Sequence, residues 1–127
     1  MTSATIVYVD DDADDRNFLK EAFEEQQYPL VKYFEDAPSA LSFLMSLPDA
    51  LLPKLLITDI NMPVMTGIEL LYILKKNKRF AAIKLIALST ANQLEYQAEC
   101  NRLGTAFLQK PNSFSELRQI ANHFMFQ

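Results

Sequence analysis

Short apolar runs alternate along the chain with longer segments that carry apolar residues at steps of three and four. The short runs have the length of buried strands, and the longer segments have the spacing of a helix with one buried face. Strict alternation of the two predicts an α/β domain built on a parallel sheet. The predicted strands are residues 6–9, 31–34, 55–58, 85–88 and 105–108.

The composition of each strand predicts its place in the sheet. Four strands are almost continuously apolar, as expected of parallel strands that helices cover on both faces. The segment Val31–Phe34 alternates with polar residues and is the expected edge strand. A doubly wound sheet of five strands commonly has the order 2-1-3-4-5. The helix after the fourth strand has the weakest apolar stripe, with Leu94, Ala98 and Leu103 as its core candidates.

Length and charge narrow the range of functions. The 127 residues have the size of one domain, so we expect a single domain over residues 1–127 with no attached output domain. The net charge of −4 and the scattered Lys and Arg residues argue against direct binding of nucleic acid. No segment approaches the roughly 18 to 20 apolar residues of a membrane span, and no secretory leader is visible. We therefore expect a cytoplasmic protein without membrane insertion.

Polar residues follow the strands that meet in the middle of the predicted sheet. In chain order they are Asp10 and Asp11 after the first strand, Asp59 after the third, Ser89 at the end of the fourth and Lys110 after the fifth. Ligands of such sheets bind outside the carboxyl ends of the strands, where the strand order reverses. We therefore expect three carboxylates, a hydroxyl and an ammonium group at one edge of the sheet.

The three carboxylates need a cation to remain ionised together. Two of them at about 4 Å repel by roughly 4 kcal/mol at an effective dielectric constant near 20. Because the available ligands are all oxygen atoms, a hard ion is favoured, and Mg²⁺ suits a site with few carboxylates. Asp59 alone is more typical of a turn residue, but beside Mg²⁺, Lys110 and Ser89 it is a candidate nucleophile for phosphoryl transfer. Asp12 is expected to cap the first helix.

Four motifs at these strand ends resemble the response-regulator receiver family. The motifs are Val9-Asp10-Asp11-Asp12, Thr58-Asp59-Ile60-Asn61-Met62-Pro63-Val64-Met65-Thr66-Gly67, Leu88-Ser89-Thr90-Ala91 and Gln109-Lys110-Pro111. Each motif is weak alone, but all four in this order are specific, and the resemblance covers nearly the whole chain. It implies a flavodoxin-like fold with helices on both faces of the sheet. It also implies a phosphoacceptor response regulator of a two-component or phosphorelay system.

The resemblance assigns roles to the residues at the strand ends. It implies that Asp59 is the phosphoacceptor, that Asp11 binds Mg²⁺ directly and that Asp10 acts largely through water. Asn61 would supply a backbone carbonyl to the metal. Lys110 would pair first with the acceptor carboxylate and then with the phosphoryl group.

The resemblance also suggests how a signal is passed on. Ser89 and Phe107 correspond to a pair of switch residues, although Phe107 is equally typical of an ordinary core residue. The expected output surface is the fourth helix, the fifth strand and the fifth helix, which would bind a separate downstream protein. The implied donor is a sensor histidine kinase or a histidine phosphotransfer protein. The apolar residues Phe124, Met125 and Phe126 fit a partner or homodimer interface and equally a frayed end.

Two other functions remain open from the sequence alone. A receiver-like scaffold could bind proteins independently of phosphorylation. A Mg²⁺-dependent phosphatase could also use an Asp nucleophile after a strand, but such enzymes usually carry a second acid two residues on, where this chain has Asn61. The expected class is a signalling phosphoacceptor, not an enzyme, that promotes its own phosphotransfer and dephosphorylation.

Overall fold

The computed structural model describes residues 6–25, 30–90 and 94–110, together with Glu116 and Gln119. The strands are β1 Ile6–Val9, β2 Val31–Phe34, β3 Leu55–Asp59, β4 Lys84–Ser89 and β5 Ala106–Gln109. They form one parallel sheet in the order β2-β1-β3-β4-β5, which confirms the predicted fold class. The alternating strand β2 lies at an edge, as predicted. The strand order reverses between β1 and β3, so the carboxyl ends of these strands border the expected ligand crevice.

Helices connect the strands within the part of the chain that the structure describes. They are α1 Ala13–Glu25, α2 Ala37–Ser46, α3 Gly67–Lys76 and α4 Gln97–Leu103, with short 3₁₀ turns at Asp49–Leu51, Lys78–Phe80 and Leu94–Tyr96. The predicted fifth helix, with Phe124, Met125 and Phe126, lies outside the described residues except for Glu116 and Gln119, which are both helical. None of the helices described here is long and apolar enough to cross a membrane.

Each face of the sheet has its own apolar layer, because alternate residues of a strand point to opposite sides. One layer joins Val7, Leu56 and their neighbours to the buried faces of α2, α3 and α4. The other layer joins Ile6 and Tyr8 to Leu19 of α1. Helices therefore cover both faces of the sheet, and the aromatic ring of Tyr8 lies on the α1 side.

Side-chain caps define where α1 and α3 begin. The Asp12 carboxylate accepts hydrogen bonds from the backbone N–H groups of Asp14 at 2.8 Å and Asp15 at 3.2 Å, which confirms its predicted role at the start of α1. The Thr66 hydroxyl accepts from the Glu69 N–H at 3.2 Å at the start of α3. Both caps follow directly from the loops that carry the polar residues of β1 and β3, so they help to hold those loops in place.

The apolar face of α4 differs from the prediction. Cys100 is fully buried, whereas Ala98 is exposed, so the expectation for Ala98 is wrong. Tyr96 and Leu103, four residues before Cys100 and three after it, are partly buried against the same core. Steps of four and three residues place Tyr96, Cys100 and Leu103 on one face of the helix, and Ala98, two residues from Cys100, therefore points to another side. The side chain of Leu94 lies outside the described residues.

Candidate functional site

Three carboxylates meet at the carboxyl ends of β1 and β3. One oxygen atom from each of Asp10, Asp11 and Asp59 lies within 4.8 Å of the others. Asp10 is fully buried and Asp59 is 5% exposed, whereas Asp11 is exposed. Because Val9 lies opposite Thr58 in the parallel pairing, the next residue of each segment, Asp10 or Asp59, emerges beside the other. The structure thus brings together the three carboxylates that the sequence singles out.

The ammonium group of Lys110 lies among the carboxylates. Its Nζ atom is 2.7 Å from Asp15 Oδ2, 3.1 Å from Asp10 Oδ2 and 3.4 Å from Asp59 Oδ1. The backbone N–H of Lys110 donates to the Ser89 carbonyl at 2.7 Å, which ties the segment after β5 to the end of β4. Since an ammonium group carries three N–H donors, one lysine can serve all three carboxylates.

Asp10 accepts hydrogen bonds from β1, from the turn that follows it and from α1. The Tyr8 hydroxyl, two residues earlier, donates to Asp10 Oδ2 at 2.6 Å, and the Asp12 N–H donates to Asp10 Oδ1 at 3.0 Å. The Arg16 guanidinium donates to the Asp10 backbone carbonyl at 2.8 Å. Burial and the adjacent Asp10 carboxylate raise the pKa of Tyr8, so its hydroxyl remains protonated and acts as a donor. These contacts offset part of the cost of burying the Asp10 charge.

The electrostatics of the site favour a cation. Burial and the nearby Asp10 carboxylate raise the pKa of Asp59 to about 6, while Lys110 opposes the shift. Burial by itself lowers the pKa of Lys110, but its contacts with Asp15, Asp10 and Asp59 outweigh that effect and raise this pKa, so the ammonium is charged at neutral pH. At neutral pH the site therefore holds one positive charge among several carboxylates.

The ligand atoms of this cluster fit Mg²⁺. The carboxylates of Asp10, Asp11 and Asp59 offer only oxygen, which is the donor that a hard divalent ion prefers. Asn61 lies two residues beyond Asp59 with its side chain exposed, and the role of its backbone carbonyl stays a prediction. The exposed position of Asp11 leaves one side of the cluster open for water and phosphate oxygens.

The loop between β3 and α3 packs directly on the end of β3. The Gly67 N–H donates to the Ile60 carbonyl at 2.9 Å, and a Cβ atom at Gly67 would lie 2.0 Å from the Asp59 carbonyl oxygen. Glycine is therefore required here for the close approach of two backbone segments. Val64 in the same loop is 93% exposed and has a φ of 72°, a left-handed conformation that is strained for a β-branched residue. The backbone of this loop is thus held in place by the fold around it, against the preference of Val64.

Comparison with known sequences identifies the family. The sequence model of the response regulator receiver domain matches residues 6–122. The chain belongs to the response-regulator receiver family. An uncharacterized 14.6 kDa protein of Leptolyngbya boryana is 32% identical over 120 residues, which cover 94% of this chain and 88% of that protein. The two-component response regulator ORR13 of Oryza sativa subsp. japonica is 30% identical over 124 residues, covering 97% of this chain and 99% of that protein.

The fold of this family member is also found among solved structures. A two-component response regulator from Legionella pneumophila superposes with a TM-score of 0.83 and covers 98% of this chain and 100% of that chain, at 24% sequence identity. A likeness at this identity bears on the fold alone. The receiver family itself supports a phosphoacceptor role in two-component signalling.

The two residues expected to act as a switch lie in different surroundings. Ser89 is 1% exposed at the end of β4, at the same edge of the sheet as the carboxylates. Phe107 is half-buried in β5, opposite Ala87 of β4, and packs on the core layer shared with α2 and α3. The packing of Phe107 is that of a core residue, and the switch role of both residues stays a prediction.

Two residues whose side chains contact the Asp10 carboxylate or the Lys110 ammonium are absent from the sequence-based selection. Tyr8 has a sequence signal, because residues two apart in a strand share a face and a tyrosine two residues before an aspartate can reach it. Asp15 has no comparable signal, since its partner Lys110 is 95 residues away in the chain. The Asp14-Asp15 pair is equally typical of an acidic first turn that complements the helix dipole.

Proposed function

We propose that Asp59 accepts a phosphoryl group from the phosphohistidine of a sensor histidine kinase or a histidine phosphotransfer protein. An oxygen of the Asp59 carboxylate attacks the phosphorus, the bond between phosphorus and the imidazole nitrogen breaks, and the imidazole takes up a proton from solvent. The product is an acyl phosphate on Asp59. The domain promotes this transfer and the later hydrolysis of the acyl phosphate without turning over a separate substrate.

The observation that carries the proposal is the position of Asp59 beside two other carboxylates and a lysine. Lys110 Nζ lies 3.4 Å from Asp59 Oδ1, where a cation can neutralise charge on a phosphoryl oxygen. Ser89 ends the strand next to β3, and we assign to its hydroxyl a hydrogen bond to another phosphoryl oxygen. Two groups that stabilise negative charge thus border the proposed acceptor.

Mg²⁺ is part of this proposal. Asp11 and Asp59 would bind the ion directly through carboxylate oxygens, Asp10 would act largely through water, and Asn61 would add its backbone carbonyl. When bound, the ion would neutralise charge on the acceptor carboxylate and on the phosphoryl oxygens. The three oxygen atoms within 4.8 Å of one another support this ligand set.

We further propose that phosphorylation changes the binding of a separate protein. The surface involved would be α4, β5 and the last helix, and Ser89 and Phe107 would link it to the phosphoryl group. In a second version of this proposal, the same surface binds another copy of this protein and forms a homodimer. We also propose that the protein is cytoplasmic. The expectation of a single domain over residues 1–127 stays a prediction.

A small phosphodonor tests the acceptor and the metal together. The protein is incubated with acetyl phosphate, either with Mg²⁺ or with EDTA, and its intact mass is measured. We expect the mass of one phosphoryl group to be gained only with Mg²⁺, and no gain in Asp59→Asn. Asp14→Asn is the matched control, because it removes an exposed carboxylate outside the cluster and should be phosphorylated normally.

Each other outcome points to a different function. An adduct that persists in Asp59→Asn would place the acceptor at another residue. No adduct in any condition would favour a protein-binding module that works independently of phosphorylation. Continued release of phosphate from unrelated phosphate esters would favour a phosphatase.

A further inference from the structure

The carboxylate nearest to the Lys110 ammonium is not the proposed phosphoacceptor. Asp15 Oδ2 lies 2.7 Å from Lys110 Nζ, compared with 3.4 Å for Asp59 Oδ1. The Asp15 contact is a hydrogen-bonded ion pair in which the Lys110 side chain is 20% exposed and the Asp15 side chain 40% exposed. The lysine is therefore held towards α1, and Asp59 is the most distant of its three carboxylate partners.

We propose that Asp15 is a positioning residue that competes with Asp59 and its phosphoryl group for the Lys110 ammonium. This inference rests on the proposed phosphoacceptor function and deepens it. Asp15 would limit how readily Lys110 engages an incoming phosphoryl group, so the contact between Asp15 and Lys110 would set the rate at which Asp59 is phosphorylated.

The position of Asp15 is determined by the start of α1. Its backbone N–H donates to the Asp12 carboxylate at 3.2 Å, in the same cap that receives the Asp14 N–H. The contact with Lys110 thus depends on a capped helix turn and not on a freely moving loop. Asp15 also lies outside the three-carboxylate cluster, so its negative charge would not be shared with a metal ion bound there.

The surroundings of Lys110 leave it room to change partners. A cavity of about 20 Å³ borders Asp15 and Lys110 and is otherwise lined by Tyr8 and by apolar groups of α1 and β4. This volume is close to that of one water molecule, so the lysine stem is not tightly packed on this side. Because the stem is loosely packed and Nζ already lies 3.4 Å from Asp59 Oδ1, the ammonium is within reach of a phosphoryl oxygen carried by Asp59.

Charge and hydrogen-bond number make the competition direct. The three donors of the ammonium match the carboxylates of Asp15, Asp10 and Asp59 in the unphosphorylated protein. A phosphoryl group on Asp59 brings further acceptor oxygens and more negative charge. Any donor that stays with Asp15 is then unavailable to the phosphoryl group.

The test compares Asp15→Asn with Asp14→Asn. Both remove one carboxylate from the first turn of α1, but only Asp15 contacts Lys110. With acetyl phosphate and Mg²⁺, Asp15→Asn should raise the second-order rate constant of phosphorylation about fivefold, since a charge-assisted hydrogen bond that is partly exposed has a modest strength. Asp14→Asn should change this rate constant less than about twofold. Asp15→Glu keeps the negative charge, so its rate constant should be closer to that of the original protein than to that of Asp15→Asn.

A second measurement reads the contact without any phosphorylation. The ¹⁵N resonance of the Lys110 ammonium, recorded in EDTA, should shift in Asp15→Asn and stay in place in Asp14→Asn. A slower reaction in Asp15→Asn, or equal rates and resonances in the two variants, would overturn the inference. If the unaltered protein is not phosphorylated at all, the proposed function fails, and the resonance still reports whether Asp15 holds the lysine.

Discussion

Asp59→Asn should make the metal-free protein more stable at neutral pH, although it removes an ion-pair partner of Lys110. Burial and the Asp10 charge raise the pKa of Asp59 from its ordinary value of 3.8 to about 6. The folded protein therefore keeps a proton on Asp59 that the unfolded chain releases. The contribution of Asp59 to stability is greatest below the unfolded pKa and is lost as the pH rises through the folded pKa.

The size of the effect follows from the shift. A shift of one pKa unit corresponds to about 1.36 kcal/mol. The rise of the Asp59 pKa from 3.8 to about 6 therefore means that the ionised carboxylate destabilises the folded protein by about 3 kcal/mol at pH values above the folded pKa. Linkage predicts that about half of this cost develops between about pH 5 and about pH 7.5. Lys110 keeps Asp15 and Asp10 as partners in the variant, so the substitution leaves no unpaired buried cation.

Urea unfolding in EDTA measures this difference. The free energy of unfolding of Asp59→Asn should exceed that of the original protein, and the excess should grow between about pH 5 and about pH 7.5. Asp14→Asn should instead be slightly less stable than the original protein, because it loses the favourable interaction between a carboxylate in the first turn and the helix dipole. An excess that does not change with pH, or a less stable Asp59→Asn at the higher pH, would refute the reasoning.

Four further substitutions are tested by urea unfolding. Gly67→Ala should cost about 1–3 kcal/mol or more, because its Cβ would lie 2.0 Å from a backbone carbonyl oxygen. Gly104→Ala meets only the strain of a φ of 68° and should cost about 1 kcal/mol; a larger loss at Gly104 would contradict this ranking. Val64→Asn should gain about 0.5–1 kcal/mol, since Asn tolerates left-handed backbone, and a loss would show that the valine is not strained. Tyr8→Phe should lose about 1.5–3 kcal/mol with its hydrogen bond to Asp10, whereas an unchanged stability would mean that the bond contributes nothing.

Local pattern was sufficient for most of the fold. The apolar runs placed all five strands to within one or two residues of their observed bounds, and the alternation in Val31–Phe34 identified the edge. The prediction for Ala98 in α4 was wrong, because Ala98 lies two residues from the buried Cys100 and therefore on another side of the helix. Cys100 is buried because it shares one helix face with Tyr96 and Leu103, and the core covers it more fully than expected of a half-buried helix residue.

The sequence by itself determined which residues stand at the strand ends, because a parallel sheet brings the carboxyl ends of its strands to one edge. Asp10, Asp11 and Asp59 were found on that ground. Only the tertiary structure decided the contacts among them and their neighbours: the pairing of Lys110 with Asp15 across 95 residues, and the approach of Gly67 to Asp59. Such contacts depend on how helices and loops pack against the sheet, and that packing is set by the whole core and not by residues adjacent in the chain.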